Sequence, residues 1–328
     1  MKVLVAGGAG YIGSHVGLEL SRWGHQPVVL DNLVKGHRQA VVTGKFIQGD
    51  VGDKALVKQI IQEEQIEAAV HLCAYSLVGE SVTEPAKYFH NNIGNGLSFL
   101  DALRESGVNK FVFSSTAAVF GEPEKIPIPE DHPKNPTSPY GFSKLTFEGI
   151  LKFYDRAYGM KYIALRYFNA AGADPEAAIG EDHQPESHLI PIVLQTAQGL
   201  RPHIEIFGTD YPTSDGTCVR DYIHVNDLAQ AHILALEALA KGADSTIYNL
   251  GNGQGYSNRQ VIEVAKKVSG KVISVKEGPR RPGDPAVLVA SANRIKEELG
   301  WKPQYPQLEK IIETAWRWHA GHPNGYEG

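Results

Sequence analysis

A glycine-rich turn near the start of the chain constrains the fold more than any other feature. Residues 2–6 form a short apolar segment with β-branched side chains, the pattern of a buried parallel strand. Three glycines follow at equal spacing, namely Gly7, Gly10 and Gly13. In that order, they permit a tight turn from strand to helix, a close approach of a phosphate to the backbone, and close packing of helix on strand. The pattern predicts a dinucleotide-binding turn.

The residues after this turn strengthen the prediction. Apolar residues recur at helical spacing from Ile12 to Leu20, and residues 27–30 form a second apolar strand that ends at Asp31. The N–H groups of the first helical turn, with the positive end of the helix dipole, bind phosphates. Asp31 follows Gly10 by about twenty residues, the distance at which a carboxylate binds the adenosine ribose. Its charge would repel a 2′-phosphate, so the segment predicts NAD rather than NADP. The alternative is a purely structural turn.

Strand and helix patterns alternate through the first half of the chain, as they do in a parallel sheet covered by helices. Strands are predicted at 45–48, 68–72, 111–113 and 162–165, and helices around 56–61, from Pro85 to Ser106 and from Pro139 to Tyr158. The predicted fold class is therefore α/β, a doubly wound parallel sheet of the Rossmann type.

The alternation stops after Asn169, and residues 172–188 are predicted to form a loop over a cleft. Helices are then predicted at 189–198, 226–241, 261–268 and 308–315, and strands at 204–207 and 219–225. These elements indicate a smaller α+β domain. We expect residues 1–170, with 221–245 added, to form the NAD-binding domain, and residues 171–328 to form a second domain interleaved with it.

The composition argues against several classes of partner. The formal net charge of −5 over 328 residues provides no broad basic surface, so no nucleic acid partner is expected. No apolar run reaches the ~18 residues of a membrane span, and the chain enters a strand at once, which predicts neither membrane insertion nor a signal peptide. Cys73 and Cys218 form no Cys-x-x-Cys motif, which agrees with a cytoplasmic location. The thirteen histidines show no metal-ligand spacing, so no metal site is predicted.

The segment from Ser138 to Lys144 places two ionisable side chains on one helix face. Ser138 is a suitable N-cap and Pro139 a suitable first helical residue, so Tyr140 and Lys144 lie one turn apart. The helix dipole and the ammonium group both favour the phenolate. A tyrosine whose pKa falls from about 10 toward neutrality becomes a general base for a hydroxyl group. The alternative is a partly exposed Tyr–Lys pair on an ordinary helix.

Three hydroxyl side chains, Ser114, Ser115 and Thr116, end the fifth predicted strand, where ligands bind in open α/β sheets. A capping role is the alternative, and it fits the two serines better than the threonine. The glycine turn, this threonine and the Tyr-x-x-x-Lys helix together resemble the extended branch of the short-chain dehydrogenase/reductase superfamily. The resemblance implies that Tyr140 and Lys144 are the catalytic pair and that Thr116 bonds the reacting oxygen.

Further segments narrow the resemblance to the family of UDP-glucose 4-epimerases and extend it over nearly the whole chain. They are His71–Ala74, Val78–Ser81, Arg166–Asn169, Gly180–Asp182, Asp210–Thr213, Asp215–Thr217, Val219–Val225, Tyr248–Gly251 and Arg280–Asp284. The resemblance implies an NAD-dependent isomerase (EC 5.1.3.2) of galactose metabolism that interconverts UDP-glucose and UDP-galactose, with some activity on UDP-N-acetylglucosamine and its galacto epimer. It also implies a homodimer formed by the helices at 85–106 and 139–158.

The resemblance also implies the residues of the site. Those for NAD are Gly7, Gly10, Tyr11, Ile12, Gly13, Asp31, Asn32, Asp50, Val51, Leu72, Ala74, Ser76, Asn91, Ser114, Tyr140, Lys144 and Phe168. Those for the UDP-hexose are Thr116, Tyr140, Asn169, His188, Leu189, Phe207, Arg220, Arg281, Asp284 and Leu288. Residues 171–328 would then be the UDP-sugar-binding domain. Some members of the family carry a lysine at the position of Ser76. At the position of Leu288, a tyrosine ring in some members excludes an N-acetyl group.

Elementary chemistry supports the substrate group. Arginine forks bind phosphate oxygens with two hydrogen bonds, and Arg220 and Arg281 come from distant segments, as a clamp over a diphosphate requires. Phe207 could stack on uracil, although it could equally be a core residue.

The implied reaction has two mirrored halves. Tyr140 removes the proton of the 4-hydroxyl while hydride passes from C4 to NAD⁺, the 4-keto sugar rotates, and both return on the opposite face. Lys144 binds the cofactor ribose and keeps Tyr140 acidic. Two other functions compete with this one. A nucleotide-sugar dehydratase would carry an Asp–Glu pair where this chain has Ala117 and Ala118, and a non-catalytic NAD sensor would usually lack the Tyr-x-x-x-Lys pair.

Overall fold

The computed structural model describes residues 1–281 and 283–327. The first half contains β1 (Lys2–Ala6), α1 (Tyr11–Arg22), β2 (Gln26–Asp31), β3 (Lys45–Gln48), α2 (Lys54–Glu64), β4 (Ala68–His71), α3 (Val78–Thr83), α4 (Pro85–Phe89), α5 (Gly96–Glu105), β5 (Lys110–Thr116), α6 (Pro139–Tyr158), β6 (Lys161–Tyr167) and β7 (Asn169–Ala171). The second half contains α7 (Leu189–Ala197), β8 (Ile204–Phe207), β9 (Val219–His224), α8 (Val225–Ala240), β10 (Thr246–Leu250), β11 (Gly255–Ser257), α9 (Asn258–Ser269), β12 (Val275–Gly278), β13 (Val287–Leu288), α10 (Asn293–Leu299) and α11 (Leu308–Gly321).

The main sheet confirms the predicted doubly wound parallel architecture. Seven strands of the described residues pair in the order β3-β2-β1-β4-β5-β6-β10, and all six pairings are parallel. The strand order reverses between β1 and β4. In open sheets of this kind, ligands bind beyond the carboxyl ends of the strands at such a reversal. The glycine turn after β1 and the end of β5 both lie at this edge.

The strands of the main sheet are apolar throughout because both of their faces are buried. Along β1, Val3 and Val5 face one core, which includes residues of α1 and α8, whereas Leu4 faces a second core with residues of α2, α5 and α6. Alternate residues of a strand point to opposite faces, so a strand covered on both faces shows no alternation of polarity.

A smaller group of elements covers the carboxyl edge of the main sheet. Strand β9 pairs with β7 and β13 in parallel and with β11 antiparallel, while β8 pairs with β12 in a separate two-stranded sheet. Helices α7, α9 and α11 pack together in a third core. We expected residues 221–245 to join the first domain. The edge strand β10 of the main sheet follows directly after this segment. The domain boundaries themselves stay a prediction.

The predicted helix from Pro85 to Ser106 is wrong in one respect, since it is not a regular α-helix. A π-helical segment, His90–Asn95, lies between α4 and α5. Within it, the Asn92 amide donates to the Tyr75 carbonyl (3.1 Å) and the Ser143 hydroxyl (3.1 Å), and its oxygen accepts from the Tyr75 N–H (3.0 Å). This buried amide ties the loop after β4 to α6, and a wide helical turn is a common way to aim one side chain at a functional site.

Several short elements have no counterpart in the predictions, namely α3, β7, β10, β11, β12, β13 and α10. Most have seven residues or fewer, too few for a periodic pattern to stand out. Across residues 1–281 and 283–327, no helix has both the length and the apolar character needed to cross a membrane.

Candidate active site

The glycine turn has the geometry that its sequence predicts. Gly7 has a φ of +81°, and a Cβ on it would lie 2.8 Å from backbone atoms of Leu72 and Cys73. A Cβ on Gly13 would lie 2.1 Å from the Gly7 carbonyl oxygen, so only glycine lets α1 pack this close to the turn. In contrast, the nearest heavy atom to a Cβ on Gly10 is the Gly7 oxygen at 3.4 Å. The surface over Gly10 is therefore open, which fits the approach of a pyrophosphate group to the first turn of α1.

Asp31 faces this turn from the end of β2. Its carboxylate accepts hydrogen bonds from the N–H groups of Ala9 (3.0 Å) and Leu33 (2.8 Å). Burial raises the pKa of Asp31, and these two hydrogen bonds counteract that rise. The carboxylate is thus fixed beside the glycine turn, where an adenosine ribose would bind.

Three of the residues predicted to bind NAD, Asn32, Asp50 and Val51, lie near the end of β2 and in the loop after β3. The Asn32 amide donates to the Asp50 carboxylate (2.7 Å), which also accepts from the Gly52 N–H (2.7 Å), and Val51 is buried. The remaining predicted cofactor residues fall on the same edge: Leu72, Ala74 and exposed Ser76 follow β4, and Asn91 lies in the π-helical segment. Tyr11 and Ile12 open α1. The donor groups and the open glycine surface fit NAD.

Lys144 is buried beneath the end of β5. Its ammonium group donates to the Ser114 carbonyl (2.8 Å) and lies 3.4 Å from the Ser114 hydroxyl. Burial lowers the pKa of Lys144 to about 7, although Cys73 and Glu148 act in the opposite direction. The predicted N-cap is confirmed, because the Ser138 hydroxyl accepts from the Gly141 N–H (3.1 Å) and so fixes the start of α6.

Tyr140 differs from its prediction in its ionisation. The sequence predicts a lowered pKa, whereas burial raises the pKa of Tyr140 in this structure and a hydrogen bond with Thr116 only counteracts the rise. The physical reason is the burial of Tyr140, and the Lys144 ammonium, one turn later, donates to Ser114. Tyr140 and Thr116 are nevertheless brought together as predicted.

Thr116 has the capping role, which the sequence predicts to fit the two serines better, and its role toward a substrate oxygen stays a prediction. Its hydroxyl oxygen accepts from the Ala118 N–H (3.2 Å), capping a 3-10 turn, and the same side chain meets Tyr140. Behind it, Phe168 and Leu288 pack against the buried side chains of Val119 and Phe120. Leu288, which is predicted to border the sugar, and Phe168, which is predicted to contact NAD, therefore pack against the same apolar cluster.

The predicted phosphate-binding side is built on β9 and β13. The Arg220 guanidinium donates to the carbonyls of Val219 (2.9 Å) and Pro285 (2.8 Å) and lies 3.4 Å from the Asp284 carboxylate. Leu288 stands opposite Arg220 in the parallel register of β13 with β9. The residue predicted to bind a diphosphate and the residue predicted to border the attached sugar are thus direct neighbours.

Three other predicted substrate residues, Asn169, Phe207 and Arg281, make contacts with their neighbours in the structure. The Asn169 amide donates to the Asp221 carbonyl (2.9 Å). Phe207 is half-buried, whereas Ile204 and Ile206 of the same strand belong to the third core. The Arg281 guanidinium lies 3.7 Å from the centre of the Phe207 ring. Phe207 therefore has a face outside the core, where a planar group can stack.

His188 is the N-cap residue of α7, and Leu189 is its first residue. The His188 imidazole does not point freely toward a ligand, because its Nδ1 atom lies 2.7 Å from the Glu181 carboxylate and 3.3 Å from that of Glu186. Although burial alone would lower it, these two carboxylates raise the pKa of His188 to about 10. The sequence predicts no such cluster.

The sequence also missed a buried ion pair that supports the catalytic helix. Two nitrogens of the Arg166 guanidinium donate to the two carboxylate oxygens of Glu148 (2.8 and 2.6 Å), and the Ser115 hydroxyl donates to the same carboxylate (2.6 Å). Glu148 lies one turn after Lys144 on α6, so the pair fixes α6 against β5 and β6. The available signal was Arg166 itself, since a charge in an apolar strand requires a partner.

Comparison with known proteins places the chain in a family. The description "NAD dependent epimerase/dehydratase family" matches residues 3–251. A UDP-glucose 4-epimerase from Lacticaseibacillus casei is 52% identical over 327 residues, which cover 99% of each chain. The crystal structure of a UDP-glucose 4-epimerase from Bifidobacterium longum in complex with NAD+ and UDP is 36% identical, with a TM-score of 0.93 and coverage of 99% of this chain and 100% of that one.

A second solved structure is the UDP-Glc/GlcNAc 4-epimerase from Campylobacter jejuni, 42% identical with a TM-score of 0.85, where 98% of this chain and 99% of that one are covered. The matches run through the glycine turn, the Tyr-x-x-x-Lys helix and the β9 region alike. The chain therefore belongs to the NAD-dependent epimerase/dehydratase family and, within it, to the UDP-glucose 4-epimerases.

Proposed function

We propose that this protein interconverts UDP-glucose and UDP-galactose with bound NAD, and that Tyr140, Thr116 and Lys144 carry the reaction. The observation that supports this most directly is the meeting of Tyr140 with Thr116 at the carboxyl end of β5. The glycine turn lies at the same edge of the sheet, and Arg220 and Leu288 approach from β9 and β13. A nucleotide sugar held by Arg220 would thus reach the tyrosine hydroxyl.

Tyr140 acts as the general base and acid of the 4-hydroxyl group. Thr116 orients the reacting oxygen through its hydroxyl group, which accepts from the Ala118 N–H and whose hydrogen bond with Tyr140 counteracts the rise in the pKa of that tyrosine. When bound, NAD⁺ accepts the C4 hydride and returns it, and its positive ring favours the phenolate. Lys144 adds positive charge one helical turn away. The pKa of Tyr140 is raised in the protein without cofactor. The positive charge that lowers this pKa for catalysis therefore has to come from bound NAD⁺ together with Lys144.

The test is product analysis of UDP-galactose incubated with purified protein and no added NAD. We expect UDP-glucose to form without net release of NADH. Tyr140→Phe should lose ~10²–10⁴-fold in kcat, the contribution of a general base. Tyr158→Phe is the matched control, since Tyr158 lies on the same helix and is exposed. Equal rates in the two variants would remove Tyr140 from the mechanism. A dehydrated product, or bound NAD without any turnover, would favour the dehydratase or the sensor.

We also infer some activity on UDP-N-acetylglucosamine and its galacto epimer. Leu288 is half-buried in the cluster behind Thr116, and its neighbour in register is Arg220. A leucine has neither the reach nor the hydroxyl of a tyrosine ring, so more room is left beside the sugar. Apolar pockets discriminate by ~1–3 kcal/mol for a methylene-sized difference. The Campylobacter jejuni relative, named for both UDP-Glc and GlcNAc, supports this reading.

The ratio of kcat/KM for UDP-galactose to that for UDP-N-acetylgalactosamine tests whether Leu288 controls access of the N-acetyl group. Leu288→Tyr should raise this ratio, while Leu288→Met, which conserves volume, should leave it near the wild-type value. A wild-type preference above ~10⁴-fold would exceed what such a pocket can produce and would contradict the inference. No change in Leu288→Tyr would place this control at another residue.

Finally, we propose that the protein is a homodimer through α6 and the helical segment from α4 to α5. Phe89 and Phe142 contact each other on this surface (ring centroids 6.1 Å apart), and Phe142 and Phe153 are 52% and 68% exposed. Covering such rings with a second copy would remove apolar area from water. Light scattering at micromolar concentration should give twice the chain mass. Phe153→Asp should shift it to monomer, whereas Val272→Asp, at an even more exposed position outside these helices, should not. A wild-type monomer would contradict the proposal.

The predicted cytoplasmic location stays a prediction.

A further inference from the structure

Four potential metal ligands converge in the loop between β7 and α7. They are Glu181, His183, Glu186 and His188, and one ligand atom from each lies within 4.8 Å of all the others. The spacing Glu-x-His-x-x-Glu-x-His falls on an irregular segment, so a search for helical ligand motifs does not detect it. We call these four residues the loop cluster.

The distances in the loop cluster match those around a tetrahedral metal ion. The His183 Nδ1 atom lies 3.2 Å from Glu181 Oε1 and 3.7 Å from Glu186 Oε2. The His188 Nδ1 atom lies 2.7 Å from Glu181 Oε1 and 3.3 Å from Glu186 Oε1. A Zn²⁺ ion with bonds of ~2.0–2.1 Å holds its four ligands ~3.3 Å apart, in the middle of this range.

The two carboxylates of the loop cluster are buried, and three of its polar side-chain atoms have no hydrogen-bond partner among the described residues. The side chains of Glu181 and Glu186 are only 4% and 3% exposed. Within the described part of the chain, Glu181 Oε1, His183 Nδ1 and Glu186 Oε2 are buried without a hydrogen-bond partner of acceptable geometry. Buried atoms that lack a hydrogen-bond partner of acceptable geometry and lie within 4.8 Å of the other ligand atoms can share one ion as a common partner. Two buried carboxylates also require two compensating positive charges, which one divalent cation supplies.

We propose that the loop cluster binds one divalent transition-metal ion, most favourably Zn²⁺. Two imidazole nitrogens and two carboxylate oxygens suit zinc, whereas Mg²⁺ and Ca²⁺ prefer oxygen ligands. His188 is half-exposed and leaves a path by which the ion can enter. The donor set is complete within this chain and requires no second subunit.

The position of the cluster assigns the metal a structural role in the site. The ring of Tyr11 meets that of His183 edge-on at 6.2 Å, and the Tyr11 hydroxyl donates to the Gly172 carbonyl (2.7 Å). Tyr11 is the first residue of α1, directly after the glycine turn, and His188 is the N-cap of α7 directly before Leu189. A bound ion therefore ties the loop to the glycine turn at one end and, at the other, to α7, whose first residue, Leu189, is predicted to bind the UDP-hexose. It orders the loop without touching the reacting atoms.

The metal content of untagged protein, purified without chelator, tests the proposal independently of epimerase activity. We expect ~1 equivalent of zinc per chain by mass spectrometry. Removal by a chelator should lower the Tm, and added Zn²⁺ should restore it, because a ligand that binds only the folded state stabilises it. His183→Gln and His188→Asn should each lose the metal and the response of the Tm to Zn²⁺. His322→Gln is the matched control, since His322 lines the same cavity outside the cluster.

The variants distinguish a metal site from a cluster of ion pairs. His188→Asn changes a half-exposed side chain, so the fold should survive and the metal content remain interpretable. Less than ~0.1 equivalent of any first-row metal in wild-type protein, together with a Tm that Zn²⁺ does not raise, would overturn the proposal. Equal metal loss in His322→Gln would also overturn it. Failure of epimerase activity with one bound metal would instead count against the proposed function alone.

Discussion

Replacement of Gly10 by alanine should abolish tight NAD binding without harming the fold. Gly10 has φ −78° and ψ 171°, which alanine adopts without strain. A Cβ at this position would meet only the Gly7 oxygen, at 3.4 Å, which is an ordinary contact. The protein itself therefore has room for the methyl group. The space that the methyl group fills is the surface over which a pyrophosphate must approach.

The expected loss follows from the contacts that the methyl group prevents. A hydrogen bond from a backbone N–H to a charged phosphate contributes ~1.5–3 kcal/mol. Loss of one such bond weakens NAD binding ~10–100-fold, since each 1.4 kcal/mol is about tenfold. The global stability of Gly10→Ala without nucleotide should stay within ~0.5 kcal/mol of the wild type, as for substitutions away from packed features.

Alanine substitutions at two other glycines of the same segment, Gly13 and Gly17, serve as controls for Gly10→Ala. Gly13→Ala would place a Cβ 2.1 Å from the Gly7 oxygen, so it should lower both stability and NAD binding. Gly17→Ala lies one helical turn further on. There, apart from its own helix and chain neighbours, no described heavy atom lies within 4 Å of the added Cβ, and the variant should gain ~0.5–1 kcal/mol.

The assay measures NAD released from denatured protein after dialysis, with the dissociation constant and the Tm of each variant. Gly10→Ala should combine a normal Tm with low NAD content, and Gly17→Ala should retain NAD. If Gly10→Ala keeps as much NAD as Gly17→Ala, the phosphate does not approach the chain over Gly10. If its Tm falls as far as that of Gly13→Ala, the glycine is there for packing rather than for the ligand.

Two further predictions concern buried carboxylates. Glu148→Gln leaves the Arg166 guanidinium buried without its charge partner and should cost ~3–5 kcal/mol of unfolding free energy by denaturant titration. Glu298→Gln, which breaks the exposed pair with Arg294, should cost under ~1 kcal/mol, and equal costs would contradict the argument. Burial raises the pKa of Asp221 to about 6, so the folded state binds the proton more tightly and stability falls as pH rises from about 4 through 6. The advantage of wild type over Asp221→Asn should therefore shrink by ~2 kcal/mol from pH 4.5 to 7, and a constant difference would show that Asp221 does not titrate in this range.

The parts of the fold that the sequence predicts are those set by local pattern. The glycine turn, the N-cap at Ser138 and the strand at 45–48 each depend on a few adjacent residues whose conformational preferences agree with their surroundings. The position of Thr116 beside Tyr140 needed more, namely that both lie at the carboxyl edge of one parallel sheet. That inference was possible because alternating strands and helices leave few alternative topologies.

The features that escaped prediction depend on distant or unusual contacts. The π-helical turn exists because Asn92 bonds to Tyr75 and Ser143, and no periodic pattern marks it. The raised pKa of Tyr140 depends on how deeply the ring is buried and on where the Lys144 ammonium points, and the sequence fixes neither. Helical spacing placed the two side chains on one face without saying which oxygen the ammonium would contact.

The buried pair of Glu148 and Arg166 shows how the site depends on such a contact. Glu148 lies on the helix that carries Tyr140 and Lys144, and Arg166 lies on β6, next to the strand that ends in Thr116. The pair thus fixes the proposed base, Tyr140, relative to Thr116, which is proposed to orient the substrate oxygen. An apolar pair of similar volume could match its stability, because the desolvation of two ions offsets most of their attraction. Two parallel hydrogen bonds, however, define the orientation and position of α6 on the sheet. Apolar contacts define this orientation less strictly. A Glu148→Met, Arg166→Met double variant should therefore recover most of the stability lost by Glu148→Gln while its kcat stays reduced. Full recovery of both would show that packing alone positions the catalytic helix.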